Sequence, residues 1–271
     1  MSRFSPLPPV SLAVGVAGLA SGVMLIRARQ SRQRMERFAA ATLETLLNAI
    51  DANDRDTGAH VRRVATYALI LAEEAGLDER ERRSVERVAL FHDIGKIHAA
   101  LFDIIHEHTR LTPSERRAID THPRRGAQVL APLEAFYPEL PAGVLSHHER
   151  WDGTGYPRRL KGKRIPLEAR IVTIADTFDA VSHSRRYRRG RGIDDALEVI
   201  REGRGTQFDP ELVDLVLLPP VIDRLMREHL SSGRSRSGRR PRPKESAPDV
   251  RFRWRSESLG SRHLRAAHHV D

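Results

Sequence analysis

The chain has 271 residues, enough for one sizeable domain or for a core domain flanked by an anchor and a tail. It has no cysteine, which excludes disulfides, iron-sulfur clusters and thiolate zinc sites and favours a reducing compartment. Any metal must therefore be held by His, Asp and Glu, with thirteen histidines available, while the net charge of +10 and pI near 10.7 identify a partner only if that charge is localised.

From Phe4 to Ile26 there is no charged residue, and Val10 to Ile26 is almost continuously apolar or small. At about 1.5 Å per residue, a helix of this length just crosses a hydrocarbon layer of about 30 Å. Arg27, Arg29, Arg32, Arg34 and Arg37 follow it, against Arg3 alone before it. The positive-inside rule then predicts a single-pass anchor over 1–27 in the cytoplasmic membrane, with the bulk of the protein facing the cytoplasm. A cleaved signal peptide competes, but Ile26-Arg27 offers no small-residue cleavage site. Residues 28–51 read as an amphipathic linker helix, with Phe38, Leu43, Leu46, Leu47 and Ile50 at helical spacing, leading into the domain or pairing two copies.

Asp56 and His60 come next, four residues apart. They share a face if the helix already includes this turn, which suits two ligands of one metal. A helix cap beside a partly exposed histidine is the competing reading. The helix continues through Val64, Ala65, Ala68, Leu69 and Ala72 to a stop at Gly76.

A second helical run (Val85, Val88, Ala89, Leu90) leads into Phe91-His92-Asp93-Ile94-Gly95-Lys96. A histidine, a carboxylate and a lysine among apolar residues are costly to bury without compensation, and a metal ion is the natural one. If the helix persists, His92 and Asp93 diverge by about 100°, so they reach two ions or Asp93 bridges both. Lys96 falls on the face of His92, where it could hold a phosphate oxygen or a metal-bound hydroxide, and Gly95 lets a substrate approach the backbone. A chance His-Asp pair at a helix end competes, and so short a motif does not decide.

His98, His106 and His108 lack periodicity and receive no role. Thr112-Pro113-Ser114-Glu115 opens a helix that ends at Thr121-His122-Pro123. In His147-His148-Glu149-Arg150-Trp151-Asp152-Gly153-Thr154-Gly155-Tyr156-Pro157, two adjacent histidines can face two metals. The glycines and proline make a tight loop, from which Tyr156 projects to stack on a base or bind a phosphate. The apolar run Ile171 to Val181 contains two acids: Asp176, turned to the histidines, supplies a further ligand, whereas Asp179 makes structural hydrogen bonds. Arg185-Arg186-Tyr187-Arg188 offers forked donors for phosphate oxygens, or is a solvated basic loop. Helices follow at Asp194 to Gly203 and Pro210 to Leu217, then a short one ending near Leu230. Residues 231–271 read as a disordered Arg-rich tail. Its charge suits anionic lipid or nucleic acid, but a solvated extension is the simpler reading and nucleic-acid binding is not inferred.

Taken together, residues from Ala52 to Leu217 resemble the HD-GYP family, the branch of HD-type metal-dependent phosphohydrolases that hydrolyses cyclic di-GMP. The resemblance rests on His92-Asp93-Ile94-Gly95-Lys96, on Gly155-Tyr156-Pro157 within the His147 to Pro157 string, and on further matches in the family's order. These are Asp56-Thr57-Gly58-Ala59-His60, His122-Pro123, Ala169-Arg170-Ile171 through Asp176, Arg185 to Arg188, and Gly205-Thr206-Gln207-Phe208-Asp209-Pro210. It implies an all-α HD-type bundle of about seven helices over 52–230. It also implies two or three divalent ions, iron or manganese, held by His60, His92, Asp93, His122, His147, His148, Asp176 and Asp56. Asp93 and Lys96 would carry catalysis, and Lys96, Tyr156, Arg185 and Arg188 would contact the substrate.

The implied activity is hydrolysis of cyclic di-GMP to pGpG or GMP, with a homodimer or a diguanylate cyclase as partner. A catalytically weak dinucleotide- or cyclase-binding module, or a hydrolase of a hybrid cyclic dinucleotide, are the rivals. Two departures from the family pattern stand out: Asp56 replaces the glutamate of three-metal members, and residues 97–111 lack the usual proline-and-lysine pattern.

Overall fold

Helix α1 (Pro9–Asn53) opens the structure, a computed structural model that describes residues 9–97, 112–183 and 190–237, with residues 9–23, 53 and 233–237 by backbone only. Two compact units are present, one of residues 1–43 with 242–271 and one of residues 44–241, and the second contains the end of α1 and every element after it. Among the described residues there is no β-strand, only an isolated bridge between Arg204 and Phe208, so the expected all-α architecture is present.

Residues 28–51 lie within α1, which is unbroken to Asn53. Leu43, Leu47 and Ile50 are buried as their spacing predicts, but Phe38 is 69% exposed. Among the described residues no helix is long and apolar enough to cross a membrane, so the expected transmembrane helix gains no support here. Much of the apolar run on which that expectation rests lies outside the described side chains.

Helix α2 (Arg55–Glu74) is the central strut. Asp54 caps it by accepting from the Asp56 and Thr57 amides, and it stops where Gly76 takes a φ of +74°, as read from the sequence. It packs against α3 (Glu79–Phe91), α7 (Leu167–Ser182), α9 (Pro210–Val216) and α10 (Pro219–Ser237). The apolar stripe of α2 (Val61, Val64, Ala68, Leu71) is buried together with Val85 and Val88 of α3 and Ile171, Ile174 and Phe178 of α7. Full burial of each of the larger side chains contributes about 1.5–3 kcal/mol, which fixes the three helices as one wall.

The α3 helix is shorter than the run of motif residues. It ends at Phe91, His92 is its C-cap, and Ile94–Ile97 continue as a 3₁₀ turn. Lys96 therefore lies three residues from Asp93 on the tighter spiral and pairs with that carboxylate. Thr112 and Pro113 open α4 (Pro113–Ile119), with Thr112 and Glu115 forming the reciprocal capping box. Pro123 does not close the structure after α4. It sits in the first turn of a new helix, α5 (His122–Leu130), which docks on the 3₁₀ turn and on α6 (Glu139–Ser146).

Helix α8 (Ile193–Glu202) covers α7. Helix α10 is not the short element expected near Leu230. It runs to Ser237, seven residues into the segment read as a disordered tail, and the rest of that tail lies outside the described residues.

Candidate metal centre

Five imidazoles and two carboxylates from distant parts of the chain meet at the ends of α3 and α6, the start of α5 and the middles of α2 and α7. Three of the rings are held by helix ends. His92 Nδ1 lies 2.8 Å from Ala89 O, His122 Nδ1 2.7 Å from Ile119 O, and His147 Nδ1 2.6 Å from Val144 O. Each carbonyl belongs to the last turn of its helix, where backbone oxygens lack an intrahelical partner. A carbonyl only accepts, so each Nδ1 carries the hydrogen and each Nε2 presents a lone pair to the centre. His60, in mid-helix, reaches the same state differently: its Nδ1 donates to Asp179 Oδ2 at 2.6 Å.

The inward atoms form two groups. In one, His60, His92 and Asp93 offer ligand atoms all within 4.8 Å of one another, and in the other His122, His147 and His148 do so. Asp176 joins the first, with Oδ1 3.2 Å from His60 Nε2. Asp93 stands between them: Oδ2 lies 3.6 Å from His92 Nε2 and 3.9 Å from His60 Nε2, while Oδ1 lies 3.3 Å from His122 Nε2. Asp93 thus turns one oxygen to each of the two groups.

Electrostatics favour a cation at this place. His92 Nε2 is buried with no hydrogen-bond partner. The His122 and His147 Nε2 atoms, both lone-pair bearers when neutral, are 3.1 Å apart. Burial lowers the pKa of His92, and burial with the neighbouring His148 and His122 lowers that of His147 well below the ordinary value. His148 is pushed down to about 3 by burial, His122 and Lys96. Burial acts to raise Asp93, but Lys96, His92 and His122 outweigh it and keep the carboxylate ionised. Neutral imidazoles around an ionised aspartate are the donor set for divalent iron, manganese or zinc, and the residues present fit such ions.

The loop carrying His148 is braced in part by Glu149, to which sequence reasoning gave no role. Glu149 is buried and accepts from the Arg158 amide at 2.7 Å and the Leu160 amide at 2.9 Å, closing the loop on itself. A buried Glu beside two histidines was the available signal. A Cβ at Gly155 would lie 2.4 Å from Arg150 N and 2.6 Å from His148 O, so only glycine fits there. Trp151 and Asp152 donate their amides to Gln207 O and Thr206 O at 3.1 and 2.8 Å, which gives Gly205 to Pro210 the role of a strut under the loop.

Tyr156 does not simply project from that loop. Its ring stacks on His148 at 5.0 Å and 22°, and burial together with the Asp120 carboxylate raises the phenol pKa. Gly95 also differs from expectation. A Cβ there would meet His122 O at 2.1 Å, so the glycine admits the α5 backbone, and it is this close approach that delivers His122 to the centre.

Asp56 sits exposed in the first turn of α2, in neither ligand group. Lys96 Nζ is 2.7 Å from Asp93 Oδ2, at the edge of the centre. Arg185 and Arg188, with His98, His106 and His108, lie outside the described residues.

Fold and site together define an all-helical protein with a histidine-aspartate centre able to hold divalent metal ions. The chain belongs to the HD domain family, whose family model matches residues 44–212. It is 39% identical over 188 residues to the cyclic di-GMP phosphodiesterase response regulator RpfG of Xanthomonas campestris pv. campestris, covering 69% of this chain and 50% of that protein. It is 37% identical over 173 residues to the 3'3'-cGAMP-specific phosphodiesterase 2 of Vibrio cholerae, covering 64% of this chain and 33% of that protein. The chain thus spans a third to a half of the length of these relatives. The solved structure of Bd1817, described as an HDG"Y"P protein from Bdellovibrio bacteriovorus, matches with a TM-score of 0.52 at 19% identity. That match covers 70% of this chain and 62% of the other, a likeness of fold.

Proposed function

We propose that the protein is a metal-dependent phosphodiesterase that opens cyclic di-GMP. The observation that carries this reading is Asp93, one buried carboxylate with an oxygen turned to each of two histidine groups. In the reaction a water oxygen bonds to phosphorus while the bond from phosphorus to a ribose 3′ oxygen breaks. The proton ends on that 3′ oxygen, giving linear pGpG, and a second cut gives GMP.

Two adjoining divalent ions, iron or manganese, would supply a lowered pKa for water and charge to offset that on the phosphoryl oxygens. His60, His92, Asp93 and Asp176 would hold one and His122, His147 and His148 the other, with Asp93 shared. Lys96, anchored on Asp93, puts a positive charge where a phosphate oxygen enters. Tyr156, flat against His148, offers an aromatic edge to a guanine, and Arg185 and Arg188 would orient the dianionic substrate.

The test is turnover and metal content of the full chain with Mn²⁺ or Fe²⁺. His92→Ala and Asp93→Ala are each expected to lose bound metal and to lower turnover at least ~100-fold, since outer-shell changes alone cost about 10–100-fold. Wild-type turnover in either variant overturns the reading. A second substrate, 3'3'-cGAMP, is supported by the relatives named as specific for it, and comparing kcat/KM for the two dinucleotides separates them.

The membrane anchor, the cytoplasmic orientation and a homodimer or cyclase contact rest on sequence alone. If the anchor reading holds, the full chain sediments with membranes and a chain begun at Met35 does not.

A further inference from the structure

Helices α2 and α7 meet through two pairs of polar side chains, about one turn apart. In the front pair, His60 Nε2 lies 3.2 Å from Asp176 Oδ1 at the centre. In the pair behind it, Arg63 meets Asp179, three residues further along each helix. Asp179 is fully buried, and Arg63 grips it with both arms of its fork: Nε donates to Oδ1 at 2.6 Å and Nη2 to Oδ2 at 3.0 Å. His60 joins the two pairs, because its Nδ1 donates to the same Oδ2 at 2.6 Å. Burial acts to raise the Asp179 pKa, but the hydrogen bonds from His60 and Arg63 prevail and keep it ionised.

Arg63 lies outside the motifs that name the candidate ligands. A carboxylate plane turns about a broad, roughly two-fold torsion, and a single hydrogen bond leaves that plane loose. A guanidinium fork bonded to both oxygens fixes it, which a lone ammonium does not do. His183 Nδ1 comes within 3.2 Å of Oδ1 but is paired with Ser182 Oγ at 3.3 Å, so it is the Arg63 fork that spans the two oxygens. The neighbouring arginine supplies a contrast. Arg62 forms an equally bidentate pair with Asp51, both bonds 2.7 Å, and donates to Gly58 O; these partners are not candidate ligands, and the pair is partly exposed.

We infer that Arg63 is a positioning residue for the metal centre: by locking the Asp179 carboxylate it holds the His60 ring in one orientation and one tautomer, with the Nε2 lone pair towards the centre. The inference rests on the metal reading of the centre proposed above. Without the fork, Asp179 turns about its torsion and releases the His60 Nδ1 hydrogen. The other tautomer, with its hydrogen on Nε2, has no lone pair to give an ion there.

Groups that orient a ligating histidine contribute about 10–100-fold to metal affinity. The experiment measures Mn²⁺ affinity of the full chain by calorimetry. In the metal-free chain it also follows the downfield proton resonance of His60 Nδ1–H, assigned by its loss in His60→Gln. The variants are Arg63→Gln, Arg63→Lys, Arg62→Gln and His92→Ala, with folding followed by far-UV circular dichroism. Arg63→Gln is expected to weaken Mn²⁺ binding at least ~10-fold and to lose the resonance to exchange with water. Arg63→Lys keeps the charge but not the fork, and is expected to fall between Arg63→Gln and the wild type. Arg62→Gln removes an equal pair from the same helix and is expected to keep both the affinity and the resonance.

Wild-type affinity in Arg63→Gln overturns the inference, as does a loss in Arg62→Gln as large as that in Arg63→Gln, which would mark the effect as one of helix stability. An unchanged resonance in Arg63→Gln overturns it with no metal present. Should Arg63→Gln fail to fold, wild-type affinity in Arg63→Lys overturns it. Wild-type affinity in His92→Ala instead overturns the metal reading itself, so the two failures are distinguishable.

Discussion

Glu149 shows how much of the site depends on a residue that touches no ligand. Its two oxygens hold the Arg158 and Leu160 amides, and the loop between them carries Gly155, Tyr156 and Pro157. Removing the carboxylate strands two amides near the interior, and each unsatisfied donor costs about 1–3 kcal/mol. Glu149→Ala is therefore expected to lower the urea midpoint with the m value unchanged, and to loosen the Tyr156 ring from His148. Unaltered urea stability would mean that the loop is held by its contacts to Gln207 and Thr206 instead.

Whole elements were unevenly legible. Helix α4 was readable because its start is written in local chemistry: Thr112, Pro113 and Glu115 are the capping residues, and the capping box forms. The end of α2 was readable for the same reason, since Gly76 adopts a backbone conformation that other residues avoid. Helix α5 was not, because a proline after a histidine signals a stop and a start equally well, and only the packing of Gly95 against His122 decides between them. The length of α10 was hidden by the polar composition after Leu230, where Ser232 nonetheless reaches His183. Phe38 fits the helical stripe in the sequence but stays exposed, because spacing predicts a face and not what the face meets. The seven candidate ligands from His60 to Asp176 were named by resemblance, and no spacing rule would have joined α2 to α7 across more than a hundred residues.

At the scale of the molecule, the centre makes stability depend on pH in a defined direction. An unfolded histidine titrates near ~6.5, whereas folded His148 resists protonation until about 3 and His92 and His147 are shifted the same way. Below ~6.5 the unfolded chain then holds more protons than the folded one, and stability falls as pH falls. Asp93 and Asp179, held ionised in the fold, add to the loss at lower pH. The metal-free protein is expected to show its melting temperature declining steadily from pH 7 towards pH 4 in a thermal scan. A flat profile over that range would mean that these side chains are already protonated or solvated in the native state.

The rings of His92, His122 and His147 are each tethered to the last turn of a helix. A ring tethered in this way swings less freely, so the gap between opposing nitrogens follows from how α3, α4 and α6 are stacked. If the centre holds ions as proposed, discrimination among them would work like a fixed gauge: an ill-sized ion would have to prise helices apart, a cost falling on the core rather than on a side-chain torsion.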